Sequence, residues 1–192
     1  MREFVLFSRR GWTEGRFKSL REAGRLDVVY QCLLTGLFTS GAIRRDVVFH
    51  VVLGGPPRPP VRLTVDGGNL RDVRTDERTW ETILRKVLSG GVHAGISVGK
   101  ESLQELAGRK ENVFVLEEKG EPVWKVRFGE HPVFVLGDQV GLPKKDEGFV
   151  LRRGRKISLG TKPYLAATCV DIINYIMDLQ HGVEGKELFP PV

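Results

Sequence analysis

Three apolar runs in the second half of the chain each end in a glycine-bearing loop, a pattern suited to holding a small molecule at strand ends. The runs are VFVLEEKG, VFVLGDQVG and KISLGTKP, at residues 113–120, 133–141 and 156–163. Glycine lets the main chain approach a ligand closely, so Gly137, Gly141 and Gly160 could present N–H and C=O groups to a flat ring. The alternative is that they only make tight turns. Asp138, between two glycines, either faces a substrate or caps the turn, and we favour the turn.

Other common kinds of site are disfavoured by the sequence. No G-x-G-x-x-G follows a predicted strand and no G-x-x-x-x-G-K-[ST] occurs, which argues against a dinucleotide fold and a P-loop. The four histidines lack ligand spacing, so we predict no metal site. Cys32 and Cys169 lie in apolar periodic segments, which argues against a disulfide scaffold and favours a reducing cytoplasm.

The overall charge and hydropathy limit the class of partner. A net charge of +6 over 192 residues permits a nucleic-acid partner without establishing one. No apolar run approaches the roughly 18 residues that span a bilayer, so no membrane segment is predicted. The first residues, MREFVLFSRRG, contain too short an apolar stretch for a signal peptide, and their pattern predicts a first strand.

The elements that must position the three loops alternate between strands and helices. Helix-spaced apolar residues begin after Asp27, and Thr75 or Asp76 precedes a second helix as its cap. The predicted strands lie at 2–7, 45–53, 61–65 and in the three runs, and the predicted helices at 27–37, 75–91, 100–110 and 164–179. This order indicates an α/β domain whose mostly parallel sheet carries helices on both faces. In such sheets ligands bind beyond the carboxyl ends of the strands. The tail, 181–192, has no periodicity.

Several segments together resemble a known superfamily. They are GRLDVVYQCLL (24–34), IRRDVVFHVVLGGPPRPPV (43–61), TDERT (75–79), VFVLGDQVG (133–141) and ISLG (157–160), followed by Cys169. The C-terminal half resembles the SPOUT methyltransferases, and the whole chain resembles their archaeal tRNA pseudouridine-54 N1-methyltransferase family. The resemblance implies a single domain over 1–192, with a deep trefoil knot at about 112–182. It also implies S-adenosylmethionine (SAM) as methyl donor, tRNA as substrate and a homodimer formed by the last helix and the one after Gly141.

The resemblance also implies which residues hold the cofactor. Adenosine would lie among the three loops, with Cys169 closing one side, although core packing is the commoner use of a helical cysteine. The implied cofactor residues are Leu116, Gly137, Ile157, Ser158, Leu159, Gly160, Thr161, Lys162, Pro163 and Cys169. The family commonly has a Pro-Leu-Glu-Leu-His-like run where this chain has TKPYLAATC. The implied contacts at 161–168 are therefore those of the main chain.

The chemistry implied for this family needs a group that handles a proton. N1 of pseudouridine carries an imide-like hydrogen, and the nitrogen is a poor nucleophile until that proton leaves. A similar Arg-x-Asp segment occurs in related ribosomal pseudouridine N1-methyltransferases, so Asp27 is the candidate catalytic carboxylate and Arg25 its partner. The alternative is that Asp27 only satisfies amides at the start of a helix.

For RNA binding the sequence offers basic residues at predicted loops and strand starts. Arginine suits phosphate because its planar fork binds bidentately. The candidates are Arg9, Arg10, Arg44 and Arg45, each of which is otherwise a solvated charge. The segment 76–78 could pair with Arg45 or help form the substrate wall, and the sequence does not separate these.

Other functions remain open from the sequence. One is a SPOUT enzyme that acts on pseudouridine in ribosomal RNA, or on a ribose or guanine in tRNA. Another is an RNA-binding module that has kept the fold and lost catalysis. A cytoplasmic location is expected for each.

Overall fold

The computed structural model describes residues 1–182, which form a seven-stranded sheet with helices on both faces. Most of the predicted aperiodic tail, 183–192, and the expected end of the domain lie outside the described residues. In chain order the elements are β1 (Arg2–Ser8), α1 (Leu26–Leu37), β2 (Phe38–Thr39), β3 (Ala42–Ile43), β4 (Val47–Leu53), β5 (Val61–Asp66), α2 (Glu77–Leu88), β6 (Ile96–Gly99), α3 (Leu103–Gly108), β7 (Val113–Pro122), a 3-10 turn (Val123–Lys125), β8 (Val133–Gly137), α4 (Lys144–Val150), β9 (Gly154–Ser158) and α5 (Ala166–Gly182).

The sheet is mostly parallel, as the sequence predicts. Its strand order is β6-β5-β4-β1-β8-β7-β9. The five neighbouring strands β4, β1, β8, β7 and β9 run parallel to one another. Strand β5 pairs antiparallel with β4, and β6 pairs antiparallel with β5. Consequently β4, β1, β8, β7 and β9 all end at one edge, which we call the carboxyl edge. The separate pair β2–β3 forms a small hairpin after α1.

Both faces of the sheet are apolar, and each has its own core. Successive residues of β1 point to opposite faces, so Phe4 and Leu6 enter one core while Val5 enters the other. The larger core is completed by α1, α2 and α5, and the smaller one by α3 and α4. Parallel strands buried on both faces give continuous apolar runs, which is the pattern that the sequence shows.

A row of aromatic side chains fixes the register of the four central strands. Phe49 of β4, Phe4 of β1, Phe134 of β8 and Phe114 of β7 occupy directly paired positions. Their ring centroids lie 5.5 Å apart between Phe49 and Phe4, 5.5 Å between Phe4 and Phe134, and 5.7 Å between Phe134 and Phe114. We call this row the phenylalanine ladder. Aromatic pairs at this distance contribute about 0.5–1.5 kcal/mol each beyond their burial.

Some element bounds differ from those predicted. Asp76 rather than Thr75 caps α2, because its side chain accepts a hydrogen bond from the Thr79 N–H at 2.9 Å. The last helix starts at Ala166, two residues later than predicted. The sequence pattern predicts no element for β6, and it sets no bounds for α4, which is expected only as the helix after Gly141 that the family resemblance implies. Their sequences, KKDEGFV and ISVG, are short and carry few apolar residues to set a period.

Helix α5 is attached to the amino edge of the sheet by a buried arginine. Arg2 Nη1 donates to the carbonyl and side-chain oxygens of Asn174, both at 3.1 Å, and Nη2 donates to Asp46 and Asp178, both at 2.8 Å. Burial alone would raise the pKa of Asp178, but the bonds from Arg44 and Arg2 outweigh it and lower that pKa. Among residues 1–182, no helix combines the length and apolar character needed to cross a bilayer.

Candidate functional site at the carboxyl edge

The three glycine-bearing loops lie side by side at the carboxyl edge. Strands β8, β7 and β9 are neighbours in the sheet and parallel, so the segments that follow them leave in the same direction. Residues 117–120 bulge out of β7, and the strand then pairs again with the end of β9. The prediction that these three exits meet is therefore confirmed at the level of the fold.

Asp138 caps the turn after β8 and joins it to the loop after β1. Its Oδ1 accepts a hydrogen bond from the Val140 N–H at 2.9 Å, and its Oδ2 accepts one from the Arg9 N–H at 2.8 Å. Its main chain donates to Phe7 O at 3.0 Å and accepts from Gly141 N at 2.8 Å. The side chain is buried, with 8% exposed. The favoured prediction that Asp138 serves a turn is correct, and the carboxylate also fixes the position of Arg9.

The three loop glycines differ in what they do. A Cβ on Gly137 would lie 2.4 Å from the main chain of Gly141, so Gly137 closes a tight turn. Gly141 and Gly160 have φ of 76° and 127°, and a Cβ on either would meet no atom within 4 Å. These two positions favour glycine because φ is positive, and their main chain borders open space. Only they match the expected close approach to a ligand.

The turn after β9 is built by Ser158. Its hydroxyl lies 2.9 Å from Glu118 O, 3.1 Å from Gly160 O and 3.0 Å from the Gly160 N–H. The Ser158 side chain therefore holds the β7 bulge and its own turn. Ile157 is fully buried and Leu159 packs against the core, so their side chains belong to the interior.

The segment 161–163 that follows is exposed. This exposed turn follows Gly160, whose main chain borders open space. It therefore offers main-chain donors and acceptors, which are the groups that a purine ring requires. Leu116 lies partly buried at the corresponding end of β7. The residues present thus fit an adenosine group that contacts main chain.

The two cysteines lie on α1 and α5, the packed helices behind the loops. Cys169 is partly buried, with its Sγ 4.0 Å from Tyr164 O, and burial raises its pKa to about 11. Burial raises the pKa of Cys32 as well, with smaller contributions from Cys169 and Asp138. Both are free thiols. Cys169 packs partly against the core and stays protonated, so it would act as an apolar wall rather than a nucleophile.

Arg25 and Asp27 form a bidentate ion pair at the start of α1. Arg25 Nε lies 2.9 Å from Asp27 Oδ1, and Nη2 lies 3.0 Å from Oδ2. The hydrogen bond and charge of Asp27 raise the pKa of Arg25, and the charge of Asp138 adds to them. The Asp138 carboxylate of the β8 turn therefore contributes to the raised pKa of Arg25. Asp27 Oδ atoms bond the Arg25 guanidinium, and no hydrogen bond from the helix amides to this side chain is found among residues 1–182.

The backbone before α1 is constrained so that this pair is presented. Arg25 has φ of 69°, a left-handed conformation that costs a non-glycine residue energy and recurs at functional sites. A Cβ on Gly24 would lie 1.6 Å from Arg10 O, and one on Gly55 would lie 2.2 Å from the same atom. The loop that carries Arg9 and Arg10 is thus wedged between the start of α1 and the proline-rich turn.

The structure separates the four arginines proposed for RNA. Arg9 and Arg10 are exposed beside Asp138 at the carboxyl edge. Arg44 forms a two-bond ion pair with Asp178, at 2.9 and 2.7 Å. Arg45 donates to Gly67 O at 2.9 Å and to Leu70 O at 3.0 Å. Both precede β4 and lie at the opposite edge, where RNA phosphates would have to displace these partners.

The chain was compared with known proteins. The sequence model of a family described as "Putative SAM-dependent RNA methyltransferase" matches residues 1–182. A Methanocella arvoryzae protein named tRNA (pseudouridine(54)-N(1))-methyltransferase is 33% identical over 191 residues, which is 93% of this chain and 99% of that relative. A Methanopyrus kandleri protein of the same name is 34% identical over 195 residues, 96% of each chain. The chain belongs to this methyltransferase family.

A solved structure supports the fold of the methyltransferase. Archaeoglobus fulgidus Nep1, bound to S-adenosylhomocysteine, superposes with a TM-score of 0.66 at 16% identity, over 88% of this chain and 76% of that one. The likeness shows that the two share a fold. Family membership makes SAM the methyl donor. Within residues 1–182 no group of three or more His, Cys, Asp or Glu side chains could hold a metal ion.

The role of Asp138 can be tested by Asp138→Asn. Asparagine has one acceptor oxygen, so it can satisfy only one of the Arg9 and Val140 N–H groups, and its NH₂ would face the other donor. We expect the free energy of unfolding to fall by about 1–3 kcal/mol. We also expect faster hydrogen exchange at the Arg9 or Val140 amide. Asp171→Asn, an exposed position on α5, is the control and should change stability by less than about 0.5 kcal/mol. Unchanged exchange at both amides would contradict the assignment.

Proposed function

We propose that this methyltransferase transfers the methyl group of SAM to N1 of pseudouridine 54 in the T-loop of tRNA. The proposal rests on the names of its relatives together with one observation. The Arg25–Asp27 pair follows Gly24, which packs against Arg10 O, and the adjacent Arg9 N–H binds Asp138 in the β8 turn, at the edge where the three loops meet. A carboxylate aimed by a guanidinium at that place suits a reaction in which the acceptor nitrogen must lose a proton.

The chemistry divides between the cofactor and the chain's own residues. SAM supplies an electrophilic methyl group on a sulfonium. Loop residues Leu116, Gly137 and 157–163, together with Cys169, would hold it, with Gly160 giving the main chain room. Asp27 would accept the N1–H proton as the methyl group passes from sulfur to N1, and Arg25 orients the Asp27 carboxylate. Positioning of this kind makes an otherwise bimolecular step effectively unimolecular.

RNA would approach the same edge. Arg9 and Arg10 are exposed on a loop that Asp138 and two glycine contacts hold in place. A T-loop base would be splayed out of its stack to reach the carboxylate, as enzymes that modify single bases require. We propose a cytoplasmic location, with which a tRNA substrate is consistent.

The acceptor can be identified by nucleoside mass spectrometry. The protein is incubated with SAM and tRNA transcripts that either carry pseudouridine at position 54 or keep uridine there. We expect N1-methylpseudouridine only from the first transcript, because uridine has no free N1–H. Methylation of ribosomal RNA fragments in preference to tRNA would replace the proposed acceptor. SAM binding without methylation of any RNA would favour a non-catalytic module.

The role of Asp27 can be tested by Asp27→Asn. If the carboxylate takes the N1 proton, single-turnover methylation should fall by roughly 10²–10⁴-fold, the usual scale for a lost acid or base. The melting temperature and SAM affinity should change little, because Asp27 caps no helix amide. Glu22→Gln, an exposed acid on the same loop, is the matched control and should keep full activity. Near-normal turnover by folded Asp27→Asn would end the assignment.

We further propose that residues 1–192 form one SPOUT domain, with a trefoil knot at about 112–182. The contact that supports this is the β7 bulge, which crosses the end of β9. A Cβ on Gly120 would lie 2.7 Å from the Ile157 main chain, and Ser158 bonds Glu118. An experimental structure in which β9 and α5 do not thread the preceding loop would contradict the knot.

We propose a homodimer formed by α5 and α4, the helix after Gly141, on the basis of exposed apolar residues on α5 and in the β8 turn that leads to α4. Leu165, Tyr175 and Val140 are 71%, 61% and 45% exposed. Leu165 and Tyr175 are ten residues apart, with partly buried Ile172 between them, which places all three near one helical face. Exposed apolar side chains grouped in this way are typical of an interface.

Light scattering at micromolar concentration tests the dimer. We expect a dimeric mass for the wild type and a monomeric mass for Leu165→Glu/Tyr175→Glu, because two charges would be buried in the contact. Val92→Glu, 81% exposed after α2, is the control and should remain dimeric. A monomeric wild type would refute the proposal.

A further inference from the structure

A second concave surface opens at the carboxyl edge, away from the cofactor loops. It is a half-open groove with a volume of about 640 Å³. It lies between the loop after β1, the proline-rich turn before β5, the end of α2 and the end of β6. Its lining includes Thr13, Glu14, Gly15, Arg16, Arg58 and Lys100. We call it the β5–β6 groove.

The groove continues the line of the proposed active site. In the strand order, β5 is separated from β8 by β4 and β1. Neighbouring strands lie about 4.8 Å apart, so the groove is roughly 15–20 Å along the edge from the β8 and β7 exits. Arg9 and Arg10 follow β1 and lie between the two. An extended polymer crossing this edge would reach both places.

The chemistry of the groove is a cationic rim over an apolar floor. Arg16, Arg58 and Lys100 are exposed, and Glu14 is the carboxylate among the lining residues. The Lys100 ammonium donates to Arg58 O at 2.6 Å and Pro59 O at 3.2 Å, which keeps its charge at the rim. Val61, Val87 and Leu88 are buried beneath. Cations that face solvent above an apolar surface suit phosphates joined by sugars.

The walls of the groove are held in a fixed geometry. The Thr13 N–H donates to Pro56 O at 2.8 Å, and Thr13 Oγ1 accepts from the Arg58 N–H at 2.8 Å. A Cβ on Gly15 would lie 2.1 Å from Arg85 O, so the loop packs directly on α2. Ligand binding would therefore cost little ordering of the main chain.

We propose that the β5–β6 groove binds the sugar–phosphate backbone of the tRNA whose flipped nucleotide occupies the active site. The inference rests on the proposed function and adds a second contact about five nucleotide steps away, given a rise of roughly 3.4 Å per step. Arg16 and Arg58 bind phosphates, and Glu14 opposes them. The groove therefore sets RNA affinity without touching the reacting base.

The test measures affinity for pseudouridine-containing tRNA by fluorescence anisotropy over a series of salt concentrations. Arg16→Ala and Arg58→Ala should each weaken binding about 5-fold at low salt and reduce the slope of log affinity against log salt by about 0.7–0.9. Glu14→Gln should strengthen binding about 2-fold or more, because a repulsive charge is removed. A gain cannot arise from misfolding.

The matched control is Arg153→Ala, an exposed arginine that precedes β9 and lies at the opposite edge of the sheet. It makes the same charge change and should leave both affinity and salt slope unchanged. SAM affinity should be the same for every variant. Equal RNA binding by wild type, Arg16→Ala and Arg58→Ala would overturn the groove assignment while methylation by the wild type still supports the function. A wild type that methylates no pseudouridine-containing tRNA would instead refute the proposed function.

Discussion

The register of the central strands is the constraint from which the candidate site follows. In the phenylalanine ladder, Phe49, Phe4, Phe134 and Phe114 occupy the same level of four adjacent parallel strands. Strands β1 and β4 end four residues after their phenylalanine, β8 ends three residues after its own, and the β7 bulge begins after Leu116, so the exits lie at nearly the same level. The ladder extends to β9, where Arg155 pairs with Phe114 and its guanidinium lies 5.1 Å from that ring. A slip of one residue would turn each side chain to the other face and separate the exits.

Because the parallel strands end at about the same level, one carboxylate can connect two loops that have different roles. Asp138 lies in the turn after β8, which is one of the three glycine-bearing loops, and it binds the Arg9 N–H on the loop after β1. That second loop presents basic residues and leads to Arg25 and Asp27. The site is therefore assembled from main-chain hydrogen bonds and close glycine contacts, and its charged side chains stay available for chemistry. A rigid frame of this kind is what positions a reacting atom accurately.

Much of the fold could be predicted because parallel strands buried on both faces leave continuous apolar runs. The strands VFVLEE and VFVLGD were found in this way, and they pair in register with each other. Their register was not predicted, because a run that is apolar at every position does not show which face a residue takes. A phenylalanine at the centre of each run was the signal that could have revealed it. The bounds of helix α4 were not predicted, because its charged sequence carries little periodicity.

The candidate site was predicted less completely than the fold. The neighbourhood of Arg25 and Asp27 was found from a motif, but their ion pair depends on a left-handed residue that sequence patterns do not reveal. Ser158 stays a predicted cofactor residue, and the role of its hydroxyl in holding the turn was not predicted. For Arg44, the partner Asp178 lies 134 residues away. Contacts over such separations are set by tertiary packing, which local periodicity cannot encode.

The central position of β1 has a consequence for how the chain reaches its native state. β1 begins at the second residue, yet one of its two partners in the sheet is β8, which starts at Val133. Its other edge can pair with β4 early in synthesis, while the edge that receives β8 must wait for more than a hundred further residues. Pairings of such high contact order slow folding and leave a strand edge open to other chains. The topology that places the strand ends at one edge therefore also has a cost. The growing chain is most prone to aggregate when its N-terminal half has been made and β8 has not.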